Sequence, residues 1–230
     1  MDHLFDLHAY ADFDGDLDKY YNGQRPNGIY IPRFRNVWDK HPDYIRGFGF
    51  QGNASRAGWE SKMGQLGVGA DFKKSITQLG GWKMAFYGFG EILPYHDNKV
   101  QLNPSKKDIH GLPTLFIETK LRENELAMKK DILASAKEMM EAAGAKNVSV
   151  WDGQAPMGSG IHEMGTARMG KDPKTSVLNK WNQCHEAKNV FVTDGSCMTS
   201  ASCVNPSLTY MALTARAVDY AVKELSKQNL

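Results

Sequence analysis

One stretch constrains this chain more than any other: Thr193-Asp-Gly-Ser-Cys-Met-Thr-Ser-Ala-Ser-Cys-Val-Asn-Pro-Ser-Leu-Thr209. Val190, Phe191 and Val192 lead into it as an apolar strand, Asp194-Gly195 ends that strand, and Asn205-Pro206 opens a helix. Proline suits the first helical position and asparagine the N-cap before it, so the helix start is set locally. Upstream, His162-Glu-Met-Gly-Thr-Ala-Arg-Met-Gly170 places a histidine among small residues. His162 and Asn205 lie 43 positions apart, each at a backbone landmark, and read as a pair.

The 230 residues suffice for one large domain or two modest ones with a core. A net charge of +2, with Lys and Arg scattered among acids, argues against a nucleic-acid partner. No apolar run approaches the roughly 18 residues of a membrane span. Met1-Asp-His-Leu-Phe-Asp-Leu-His8 is too acidic and too short in apolar residues for a signal peptide, and three cysteines say little about redox compartment, so the cytoplasm and the periplasm both stay open. Cys184, Cys197 and Cys203 are odd in number and lack metal-ligand spacing, so neither a disulfide scaffold nor a metal site is expected.

Along the chain, Asp12-Phe-Asp-Gly-Asp-Leu-Asp18 has its glycine at loop position 4, where a calcium-binding EF-hand loop needs it at 6, and reads as an acidic turn. Gly28-Ile-Tyr-Ile-Pro32 and Tyr44-Ile-Arg-Gly-Phe-Gly-Phe-Gln51 alternate as strands. Further strands are expected over 82–89, 99–102, 115–121 and 147–151, punctuated by Pro94, Pro104 and Pro113, as an antiparallel sheet. His96 and His110 fall in turns and are placed at the surface, as is His185.

Residues 123–143 carry a helical stripe of Leu126, Ile132, Leu133, Ala136, Met139, Met140 and Ala143, with acids in the first turn and Gly144 at the C-terminal end. A second helix, over 206–225, puts Leu208, Met211, Ala212, Ala215, Val218, Val222 and Leu225 on one side. The fold class is therefore α+β. His162-Glu163 is not followed by the second histidine of a zinc hydrolase, and no G-x-S-x-G marks a serine nucleophile.

These motifs are similar to the C-terminal signature of the glucose-methanol-choline (GMC) family of FAD-dependent alcohol oxidoreductases. His162, Gly165, Thr166, Arg168, Met169 and Gly170 match its first block; Asn189-Val-Phe-Val-Thr-Asp-Gly-Ser196 matches its second; Asn205-Pro-Ser-Leu-Thr209 matches its third. Gly90-Glu-Ile-Leu-Pro94 and Glu123-Asn-Glu125 extend the resemblance more loosely.

The resemblance implies a division of labour. Residues 1–150 would form a substrate-binding domain, an antiparallel sheet with helices. Residues 151–230 would complete an α/β domain that holds FAD. His162 would be the base that removes the alcohol proton, since a histidine titrates near the working pH. Asn205 would steady the substrate oxygen with a neutral donor. Asp194 and Gly195 would contact the ribityl or pyrophosphate part of FAD, with Gly195 allowing close backbone approach. The helix start at Asn205, Pro206 and Ser207 would face the flavin pyrimidine with its free N–H groups. Arg168 is expected to brace its own loop.

The expected substrate is a small-molecule alcohol, sugar or sugar acid. The glycine-rich G-x-G-x-x-G turn of a dinucleotide site is missing: Gly47-Phe-Gly-Phe-Gln-Gly52 fits by count, but no apolar helical stripe follows it. The chain is therefore expected to correspond to the C-terminal part of such an enzyme. The alternatives are a folded module that cannot hold FAD alone, or one chain of a split enzyme. An exposed apolar face is expected where the FAD-binding half would dock, and a homo-oligomer could also cover it.

Overall fold

The computed structural model of the protein describes residues 1–14, 28–56, 67–78 and 80–230. A five-stranded antiparallel sheet forms its centre, built from β1 (His3–Phe13), β2 (Ile29–Ile31), β3 (Phe48–Arg56), β4 (Trp82–Glu91) and β7 (Lys146–Asp152) in the order β2-β3-β4-β1-β7. The strands β5 (Lys99–Lys107) and β6 (Pro113–Glu118) pair only with each other, so the single sheet expected from sequence is two. The helices are α1 (Ala70–Ile76), α2 (Glu123–Ala142) and α3 (Ser207–Ser226).

The segment with no expected strand, β1, lies between β4 and β7. Its Leu7, Ala9 and Ala11 are buried while His8 and Tyr10 point the other way, a period of two carried partly by alanines. Asp12 and Phe13 of the expected acidic turn belong to this strand; residues 15–18 of that turn lie outside the described residues. The ladder between β1 and β4 shifts register between Leu4 and Leu7, where Asp6 takes a left-handed φ of 62° as a bulge. The glycines of 47–52 mostly fall within β3 and its pairing with β4, not in a phosphate-binding turn.

One face of the sheet is covered by α2. Met128, Ile132, Ala136 and Met140 are buried against Leu7, Phe48, Phe50 and Phe86. A Cβ on Gly88 would stand 2.2 Å from Ile132 Cγ2, so the bare backbone there is what lets the helix approach. The expected stripe holds at Ile132, Ala136 and Met140; Leu126 is half-exposed and Met128, outside that stripe, is buried. At the helix end Gly144 is left-handed (φ 83°), and the N–H groups of Gly144 and Ala145 donate to the carbonyls of Glu141 and Met140, a Schellman cap.

Asp131 ties the loop before β3 to this helix. It accepts from Arg35 Nε at 2.8 Å and Tyr44 Oη at 2.5 Å. Burial raises the carboxyl's pKa, but bonds from Arg35, Tyr44 and Ser135 outweigh it and hold it below the usual range. Among the described residues, no helix is long and apolar enough to cross a membrane.

Candidate active site

Residues directly opposite one another on neighbouring strands share a face. Tyr30 pairs with Gln51, Gln51 with Tyr87, Tyr87 with His8 and His8 with Trp151, so one row of side chains crosses all five strands. Its neighbours on β4, Gly88 and Gly90, lie under α2, so this row occupies the opposite, open face. His8 is in ring contact with Tyr87 (5.3 Å between centroids) and Trp151 (5.0 Å). Asp6 accepts from His8 Nε2 at 2.6 Å and holds the ring.

Both members of the sequence pair reach this open face. The Nδ1 of His162, a half-buried residue, lies 3.0 Å from Nδ1 of His3, at the start of β1. His3 pairs with Glu91 and its ring meets Phe89, two residues from Tyr87 on the same side of β4. Asn205 Oδ1 accepts from Gln51 Nε2 at 3.1 Å. That bond fixes the amide orientation and turns the Asn205 N–H groups away from Gln51; no described residue accepts them. Two separate contacts thus tie the catalytic candidates to one sheet face.

The loop carrying His162 is shaped by its neighbours. Ile161 is β-branched yet left-handed at φ 55°, a conformation costing about 1–3 kcal/mol that must be held by its surroundings. Glu163 then passes against the 3₁₀ turn Gly195–Cys197: a Cβ on Gly195 would stand 2.9 Å from the Glu163 carbonyl and 3.0 Å from Tyr210 Oη. Gly195 is buried, so packing inside the chain already accounts for its missing side chain. Asp194 is exposed and accepts from the N–H and hydroxyl of Ser196, capping that turn. Arg168 donates to the Thr175 carbonyl, bracing its own loop.

Three expectations change. The apolar strand before Asp194 is only an isolated bridge, Gln183 to Phe191, because Val190 and Val192 bond to the irregular segment around Asn182 and Cys184 instead of to a strand. The N-cap of α3 is Pro206, not Asn205, whose side chain is engaged by Gln51; Pro206 is buried and Ser207 is the first helical residue. His185 is half-buried, with Nε2 3.2 Å from both Ser176 Oγ and the Gly170 carbonyl. His96 and His110 are exposed as expected.

The α3 N-terminus has the right polarity to meet an acceptor. Its first internal bond is Tyr210 N–H to the Pro206 carbonyl, and no side chain caps it. The N–H groups of Ser207, Leu208 and Thr209 therefore point outward beside Asn205, with the positive end of a 20-residue helix behind them. A cavity lined by Met169, Lys171, Lys180, His185 and Arg216 lies elsewhere and includes neither His162 nor Asn205.

A family model described as GMC oxidoreductase matches residues 94–214, over half of the chain. The chain belongs to the GMC oxidoreductase family. It is 33% identical over 211 residues to 2-methyl-1,2-propanediol dehydrogenase of Mycolicibacterium austroafricanum, covering 90% of this chain and 38% of that protein. The fructose dehydrogenase large subunit of Gluconobacter japonicus is 29% identical over 75% of this chain and 31% of its own length. Paromamine 6'-oxidase of Streptomyces fradiae is 32% identical over 57% of this chain and 24% of its own. The chain thus spans well under half the length of these relatives.

The sequence motifs do not include His3 or Gln51, the residues that meet His162 and Asn205. The one available signal was the Leu7/Ala9/Ala11 alternation, which would have made the opening segment a strand and brought His3 to its end.

Proposed function

We propose that this chain carries the proton-accepting and oxygen-binding residues of an FAD-dependent oxidoreductase that acts on CH–OH groups. The observation that carries the reading is the orientation of Asn205: Gln51 takes its oxygen and leaves its N–H groups free beside the uncapped end of α3. His162 offers Nε2, to which no described residue bonds, as the acceptor for the alcohol proton. Asn205 donates to the oxygen as negative charge grows there and, being neutral, does not compete for that proton.

The residues present fit FAD at one edge. The outward N–H groups of Ser207, Leu208 and Thr209 form a donor set suited to an electron-rich carbonyl edge such as the flavin pyrimidine. When bound, FAD supplies the acceptor for the hydride that leaves carbon. Asp194, Gly195, Asn205, Pro206 and Ser207 are the residues assigned to its binding; the Asp194 carboxylate is exposed and keeps acceptor capacity beyond its bonds to Ser196. Residues 1–150 are assigned to substrate binding and 151–230 to completing the FAD domain.

The substrate class is an alcohol, sugar or sugar acid. The open face supports this with Tyr30, Tyr87 and Trp151 for stacking and Gln51 and His8 for hydrogen bonding, a mixture suited to polyols. Replacing His162 by Ala in the FAD-loaded enzyme is expected to slow flavin reduction by alcohol about 10²- to 10⁴-fold, read by stopped-flow bleaching. Reduction at an undiminished rate would sink the assignment.

A second reading rests on α3, whose Leu208, Met211, Val222 and Leu225 are all more than half exposed. That face favours a chain that holds FAD only when docked on a further FAD-binding half, covalent or separate. A purified chain that stays colourless with FAD supports it; a bound-flavin spectrum refutes it.

A further inference from the structure

The contact between His162 and His3 carries more than position. The Nε2 of His3 lies 3.0 Å from the Ala201 carbonyl oxygen, which can only accept, so that nitrogen bears a hydrogen. A neutral His3 is then bare at Nδ1. That bare nitrogen is 3.0 Å from Nδ1 of His162, so the His162 nitrogen must be the donor. In a neutral His162 the hydrogen is thereby committed to Nδ1, and Nε2 is left with its lone pair. We infer that His3 is a positioning residue that selects the tautomer of His162 in which Nε2 is the proton acceptor; this rests on the reading of His162 as the base.

Several features keep His3 in the state this requires. It is almost fully buried, at 1% exposure. Burial is the main influence lowering its pKa below 6.5, the Ala201 bond opposes this, and nearby His162 disfavours a second positive charge. The acids that face it, Asp2 and Glu91, pull the other way without prevailing. Asp2 is occupied by backbone donors, with Oδ1 accepting from His3 N–H at 2.7 Å and Oδ2 from Gly158 N–H at 3.2 Å.

The backbone is bent on both sides of the relay. Ile161, just before His162, has φ 55°, and Ser202, just after Ala201, has φ 61°. Left-handed conformations at non-glycine residues persist only where the surroundings over-determine them, and here they flank both ends of one hydrogen-bonded chain.

The arrangement has a consequence for the reaction. When Nε2 of His162 takes the alcohol proton, Nδ1–H becomes part of an imidazolium, and its bond to the neutral His3 becomes charge-assisted and roughly twice as strong. The help comes as the proton moves, where it accelerates the step instead of merely tightening binding.

The test compares His3→Phe, which keeps a ring against Phe89 but removes the acceptor, with His3→Asn, whose Oδ1 falls near the lost Nδ1. Long-range ¹H–¹⁵N correlation spectra of the ¹⁵N-histidine-labelled chain read each tautomer directly. His162 is expected as Nδ1–H in the parent and in His3→Asn, and to shift toward Nε2–H in His3→Phe. An Nε2–H tautomer in the parent, or an unchanged one in His3→Phe, overturns the inference.

In the FAD-loaded enzyme, His3→Phe should lower the flavin-reduction rate about 10- to 100-fold, a part of what a general base contributes, with little change in KM. His3→Asn should recover most of it; equal losses in both variants overturn the role. His162→Ala separates the two failures. Flavin reduction that survives in that variant overturns the base reading, whereas its loss there with an unchanged tautomer in His3→Phe overturns the role of His3 alone.

Discussion

The two long helices are equal in length and opposite in fate. Each has 20 residues and an apolar stripe, yet α2 buries Met128, Ile132, Ala136 and Met140, while α3 buries only Ala217. On α3, Leu208 is 80% and Met211 67% exposed. Periodicity alone therefore says that a helix has a face, not what covers it. In α2 the cover is the sheet, admitted by Gly88 and Gly90; among the described residues α3 meets the loops around Met169, Trp181 and Thr193, which touch its polar and aromatic side through Arg216, Tyr220 and Thr214.

That contrast can be broken most forcefully at Ile132. Ile132→Ala should lower stability by about 2–5 kcal/mol, whereas Val222→Ala on α3 should change it by no more than about 0.5 kcal/mol. Denaturant midpoints of the two variants measure the gap, and similar losses in both would mean that α3 is packed after all. Next in size is Gly88→Ala, whose Cβ would stand 2.2 Å from Ile132 Cγ2. Overpacking there should cost about 1–3 kcal/mol by the same measurement.

On the open face, Gln51→Leu removes the bond that orients Asn205. It should leave stability nearly unchanged, within about 1 kcal/mol, but reduce turnover of the FAD-loaded enzyme about tenfold. Unaltered turnover would mean that Asn205 is oriented by something else.

Acid sharpens the contrast at the buried end of β1. Because the folded-state pKa of His3 is depressed below 6.5, the unfolded chain binds more protons as pH falls through that value, and stability is lost on the acid side. Thermal unfolding between about pH 7.5 and 5.5 should show a steeper decline for the parent than for His3→Asn. Taking the difference between the two curves removes the contribution of Asp2, whose carboxyl is pushed up by burial. The smallest expected effect is at the exposed stripe. Leu208→Ser with Leu225→Ser should leave the denaturant midpoint in place while reducing any self-association seen by sedimentation velocity.

Much of the architecture was legible locally. The Schellman end of α2 follows from Gly144 as its cap, and the extent of α3 to within a residue at each end follows from 3.6-residue periodicity, although its N-cap does not. The strand before Asp194 was not legible, since Val190, Phe191 and Val192 have strand composition but no strand beside them. The five-plus-two division of the strands escaped for the same reason: alternation marks a strand without naming its neighbour.

By itself, then, the sequence determined the family, the α+β class, the two long helices and the identity of His162 and Asn205 as candidates, but not the short helix α1, because motifs and long periodic stripes are written in nearby residues. Tertiary structure alone decided that β1 lies inside the sheet, that His3 meets His162 across 159 positions and that Gln51 meets Asn205 across 154. Those contacts join side chains from segments that only the tertiary pairing of the sheet brings together, and no local pattern encodes which groups will meet.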